Sequence, residues 1–87
     1  FLMEQMDLRE ELAGIREQAD PYASILDLAG RINKQIKTLV GQMAVQFESA
    51  TPDQLEAARE ILRKLRFLQK LRREAESVEA EIEDEIS

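Results

Sequence analysis

PYASILDLAGRINKQIKTLVGQMAVQF, residues 21 to 47, carries apolar side chains at Tyr22, Ile25, Ala29, Ile32, Ile36, Leu39 and Met43. The steps alternate between three and four, the spacing that keeps side chains on one face of an α-helix and turns that face toward a partner helix, as in a coiled coil. Asp20 ahead of Pro21 marks the start of this helix. A short acceptor side chain can cap the free N–H groups of the first turn, and a proline at the first helical position gives up an N–H that would have no partner. Thr51 ahead of Pro52 repeats the signal, with Gln54 three residues on to complete a capping box. Beyond it, Leu55, Ala58, Leu62, Leu65, Leu68, Leu71, Ala75, Val78 and Ile82 predict a further helix with its own seam.

Upstream of Asp20 lies a third amphipathic segment, so helices are expected over about residues 2–18, 21–47 and 52–86. The links around Ala19 and around Glu48 to Ala50 are too short for anything but antiparallel neighbours. The expected fold is all-α: an antiparallel up-down-up three-helix bundle with helices of increasing length, occupying residues 1–87 as one domain. Composition agrees, since 34% of the residues are charged and only 3 Gly and 2 Pro interrupt the helix formers.

The first helix has two apolar faces. Phe1, Leu8, Leu12, Ile15 and Ala19 share one stripe and are expected to face the core, whereas Leu2, Met3 and Met6 cluster on nearly the opposite side. A small bundle uses one stripe; the second, containing flexible and polarisable Met, is the kind of surface that takes a partner. In the third helix Phe67 stands roughly 100° from the direction set by Leu65, Leu68 and Leu71, and is expected to be at least partly exposed. Counting rises along the helices brings it level with Leu2 to Met6. Asp7 and Glu10 border this set as a polar rim.

Charge is segregated along the third helix. Arg59, Arg63, Lys64, Arg66, Lys70, Arg72 and Arg73 precede an acidic end of Glu74, Glu76, Glu79, Glu81, Glu83, Asp84 and Glu85. The basic stretch reads either as a patch for phosphates or acidic protein surface, or, preferred here, as a solvated face pairing with Glu4, Glu11 and other acids of the first helix. No aromatic ladder interleaves it, and the net charge of −6 speaks against nucleic acid as the main partner. The acidic end is expected to be a solvated, frayed extension.

The 87 residues contain no Cys and no His, hence no disulfide, no ordinary metal-ligand set and no imidazole base. There is no Gly-rich phosphate loop and no nucleophile beside a base, so neither an enzyme nor a cofactor site is expected. No apolar run approaches the roughly 18 residues of a membrane span. The chain opens at Phe1 inside a helical pattern, as a piece of a longer protein would.

Two stretches, Phe1-Leu2-Met3-Glu4-Gln5-Met6-Asp7-Leu8-Arg9-Glu10-Glu11-Leu12 and Arg63-Lys64-Leu65-Arg66-Phe67-Leu68-Gln69-Lys70-Leu71-Arg72, resemble the C-terminal domain of the HscB family, the J-type co-chaperones of iron–sulfur cluster assembly. The resemblance covers essentially the whole chain. It implies a three-helix domain of the bacterial cytoplasm that docks the scaffold protein IscU, while a J-domain with a His-Pro-Asp motif, outside this chain, engages the ATPase chaperone HscA. It also implies that Leu2, Met3, Met6, Asp7, Glu10 and Phe67 are the scaffold contacts, close to the set that helical spacing leaves over. Met6 stands where the family pattern has Leu, Asp7 where it has Glu, and Gly14 where it has an acid. The expected role is therefore protein binding, by a monomer or a dimer. Self-association through the same patch is the alternative, and nucleic-acid binding through Arg59 to Arg73 the least supported.

Overall fold

The computed structural model describes residues 1–48 and 51–86. It contains α1 (Leu2–Ala13), a 3-10 turn (Ile15–Glu17), α2 (Pro21–Phe47) and α3 (Pro52–Ile86). α2 and α3 form the main packed pair. The direction of each helix follows from its partners. Arg9 meets Glu74 and Arg16 meets Glu81 and Glu85, so α1 and α3 run the same way; Tyr22 meets Glu83, so α2 runs against α3. This is the expected up-down-up arrangement, stretched to 52 × 23 × 15 Å because α3 spans its whole length.

Both proline starts are capped. Asp20 accepts a hydrogen bond from the Ala23 amide at 3.2 Å. Thr51 accepts one from the Gln54 amide at 3.3 Å, and its hydroxyl donates to the Gln54 carboxamide at 3.1 Å. Of the expected link at Glu48 to Ala50, Ser49 and Ala50 lie outside the described residues.

α1 is shorter than its pattern, ending at Ala13 instead of Gln18. Gly14, a weak helix former, closes it at φ −93° and ψ 6°, and the Ile15–Glu17 turn winds more tightly before Gln18 extends toward Asp20. The change of winding keeps Ile15 in the core, 1% exposed, but leaves Ala19 outside it. Phe1 also departs from expectation: although on the core stripe, it is 39% exposed at the helix start. Leu8 is buried and Leu12 half-buried against the core.

The core is a continuous α2–α3 seam. Ile25, Leu28, Ile32 and Ile36 pack with Ile61, Leu65, Leu68, Leu71, Ala75 and Ile82, and Ala58 is buried nearer the other end of α3. Two choices within it differ from the sequence reading. Leu28 is fully buried while the expected Ala29 lies at the flank, and Ile61 is buried while the expected Leu62 and Leu55 are exposed. Adjacent apolar residues lie about 100° apart, so spacing permits either, and the rotation of α3 against α2 selects Ile61. Leu55 and Leu62 instead line an open groove with Met43 and Phe47. Among the described residues no polar or charged side chain is buried.

The acidic end of α3 is held rather than frayed. Arg16 donates to Glu85 at 2.7 and 2.9 Å and to Glu81 at 2.8 Å, Tyr22 donates to Glu83 at 2.8 Å, and Ile82 is buried beneath them. The bond to Glu83, with burial and the charges of Glu83 and Glu79 adding to it, raises the Tyr22 phenol above its ordinary value. Glu85 and then Glu81 likewise hold the Arg16 proton more tightly.

Two outcomes follow from this packing. Leu28→Ala should cost about 2 to 5 kcal/mol, since it opens a cavity in a thin core, whereas Met6→Ala should stay within about 0.5 kcal/mol. Urea unfolding at constant m-value reads both, and equal costs would contradict the two-faced α1. Tyr22 is the chain's one tyrosine. Its ultraviolet titration should have a midpoint above the ordinary value of about 10, and Glu83→Gln should bring it back toward that value. A raised phenol stabilises the fold fully below that ordinary value, and the contribution is lost as pH rises through the folded midpoint.

Candidate protein-docking surface

The first two turns of α1 present Leu2, Met3 and Met6 to solvent at 71, 79 and 57% exposure. They are outside the core because Leu8 and Leu12, with Ile15 of the following turn, bind α1 to the bundle through its other face. Phe67 is half-buried, resting against the core while leaving part of its ring uncovered. Its height matches the expectation from helix rise: the ring meets Phe1 edge-to-face with centroids 6.1 Å apart, and the Arg9 guanidinium lies 5.3 Å from its centroid.

Phe1 and Arg9 are the members of this surface that spacing alone did not single out. A T-shaped pair and a guanidinium over a ring are each attractive through the ring quadrupole, so Phe1 and Arg9 fix the orientation of Phe67 from two sides. Arg9 is held in turn by Glu74 at 3.2 Å, and the Lys64 ammonium lies 5.1 Å from the centre of the Phe1 ring. A signal for Arg9 was present in the sequence: it continues the Leu2 and Met6 line by a step of three, on the side of α1 that meets α3.

The rim residues Asp7 and Glu10 are exposed on α1, next around the helix from Leu2 and Met6, where Met3, Asp7, Glu10 and Gly14 follow one another at helical spacing. A side chain at Gly14 would meet its nearest neighbour, the Glu10 carbonyl oxygen, at 3.5 Å, an ordinary van der Waals contact. The backbone there has negative φ. Glycine at this position is thus a matter of chemistry and not of steric need.

The basic stretch does not pair as the preferred reading expected. Glu11 is taken by Arg31 of α2, and Arg59 and Arg63 pair within α3 with Glu56 and Glu60. Toward α3 the ion pairs have the opposite polarity, Arg9 of α1 and Arg16 of the 3-10 turn meeting glutamates of α3. Among the described residues no set of three or more acidic side chains is placed to hold a metal, and no helix is long and apolar enough to cross a membrane.

Residues 1–76 match the family described as the HSCB C-terminal oligomerisation domain. A protein of Vibrio atlanticus (strain LGP32) named "Co-chaperone protein HscB homolog" is 43% identical over 79 residues, which is 91% of this chain and 44% of that protein. The chain therefore spans less than half the length of this relative. No solved structure matches. With the α1 and α3 motifs, the three-helix arrangement and a family match over residues 1–76 in agreement, the chain belongs to the HscB family and corresponds to its C-terminal domain.

Proposed function

We propose that this chain is the scaffold-docking part of an iron–sulfur co-chaperone: it binds the scaffold protein IscU, with Leu2, Met3, Met6 and Phe67 as anchors and Asp7 and Glu10 as rim. The observation that carries this is the exposure of three large apolar side chains on the face of α1 turned away from its core. Removing each from water is worth about 1.5 to 3 kcal/mol, set against association costs of comparable total size, which suits a specific but reversible contact. The printed name of the Vibrio relative supports a co-chaperone role. The mechanism is positioning and not bond chemistry. Presentation to HscA requires a J-domain, and the 87 residues contain no His with which to build a His-Pro-Asp motif. The domain alone should bind IscU without stimulating ATP hydrolysis by HscA.

A second reading, self-association through the same patch across a two-fold axis, is favoured by the oligomerisation named in the family description. Light scattering separates the two. A dimer abolished by Met3→Ala would establish self-association, and a monomer that binds IscU one-to-one would exclude it.

Calorimetric titration with IscU tests the main reading. Met3→Ala should weaken binding about tenfold at unchanged melting temperature, as for a surface anchor losing 1 to 2 kcal/mol. Phe67→Ala should weaken binding and also lower the melting temperature, because its ring rests on the core as well as on Phe1. Gly14→Glu should fold and should strengthen binding by extending the rim where the family pattern has an acid. Unchanged affinity in Met3→Ala would remove the patch from the interface.

A further inference from the structure

Arg59, Arg63, Arg66, Lys70 and Arg73 recur at steps of four, three, four and three, which places them within roughly 80° of one another on the outer side of α3. Arg59 and Arg63 are neutralised by glutamates of their own helix. Arg66, Lys70 and Arg73 are exposed and have no acidic partner among the described residues. Among the arginines this sets Arg66 and Arg73 apart, whereas Lys70 shares the lack of an acidic partner among the described residues with Lys34, Lys37 and Lys64. The chain carries 18 acids against 12 bases, and Arg9, Arg16, Arg31, Arg59, Arg63 and Arg72, every arginine apart from Arg66 and Arg73, have found one.

The three free cations adjoin the docking face. Lys70 lies about 60° around α3 from Phe67, Arg66 about 100° and Arg73 about 120°, all in the same sense, with Glu74, which meets Arg9 of α1, about 20° from Phe67 on that side. Crossing the face from α1 to α3, a partner would meet the acids Asp7 and Glu10, then the apolar Leu2, Met6 and Phe67, then Lys70 and Arg66. Over the seven helical steps from Arg66 to Arg73 the positive edge is about 10 Å long, comparable to the Debye length at 0.1 M salt. That is long enough to steer a single protein edge and short for tracking a nucleic-acid backbone. The net charge of −6 and the continuity with apolar anchors also favour a protein.

We propose that Arg66, Lys70 and Arg73 form a steering edge that receives carboxylates of the protein partner seated on Leu2, Met3 and Met6. This rests on the docking reading above and specifies it: the partner's contact surface is acidic on the side that faces α3. Because the cations are exposed, they act on the approach of the partner more than on its retention.

The test measures association and dissociation rates with IscU from low to high salt. Replacing Arg66, Lys70 and Arg73 together by Glu should slow association at low salt tenfold or more and leave dissociation within threefold. The same positions changed to Gln should give an intermediate rate and a flatter salt dependence. Lys37→Glu is the control: it alters net charge as Lys70→Glu does, but on the face of α2 away from Gln35, Thr38 and Gln42, which line the groove beside Phe1. It should leave the association rate nearly unchanged. If wild-type protein binds IscU but the Glu triple associates normally, or if Lys37→Glu slows association as much as Lys70→Glu, the steering edge is wrong while the docking reading stands. If wild type does not bind IscU, the docking reading falls and the proposal with it. Binding of the wild-type domain to duplex DNA or RNA with a steep salt dependence, lost in the Glu triple, would overturn the assignment of carboxylates in favour of phosphates.

Discussion

The antiparallel seam between α2 and α3 is the contact on which everything else rests. Ile25, Leu28, Ile32 and Ile36 meet the Ile61 to Ile82 stripe along a molecule only 15 Å thick in its narrowest direction. A core this thin has no reserve of depth, so its stability comes from the length over which two amphipathic faces stay in register. The capped proline starts fix where each long helix begins, and hence that register.

α1 is attached to this hairpin by few residues. Leu8, Leu12 and Ile15 hold it from within, and Arg9, Arg16 and Arg31 tie it outside to Glu74, to Glu81 and Glu85, and, through Glu11, to α2. Using so small a part of its circumference for packing leaves the remainder free to carry Leu2, Met3 and Met6. Economy of attachment and the exposure of this apolar face are thus the same structural fact. Phe67 joins the two, since its ring lies against the core on one side and beside Phe1 and Arg9 on the other.

Electrostatics divides the surface further. Arg9 and Arg16 engage Glu74, Glu81 and Glu85 of α3, while Asp7 and Glu10 stay exposed on one side of the apolar face and Arg66, Lys70 and Arg73 on the other. Each exposed pair contributes little to stability on its own. Their larger consequence is which charges they leave unpaired among the described residues.

The helices and their order were legible in the sequence because they depend on local chemistry: steps of three and four, Asp20-Pro21 and Thr51-Pro52 as starts, and links too short for parallel neighbours. Most of the patch was legible for a related reason, since Leu2, Met3, Met6 and Phe67 are the apolar residues that a single core stripe does not use. What sequence spacing could not decide were choices among neighbours that lie 100° apart or meet only across helices. Ile61 or Leu62, Leu28 or Ala29, the early end of α1 at Gly14, the clamping of the acidic end by Arg16 and Tyr22, and the pairing of Phe1 with Phe67 all depend on how one helix is rotated and seated against another. Rotation is set by the fit of whole faces, a property no single stretch of sequence contains, and so it was the tertiary structure that decided which cations were neutralised and which remained free.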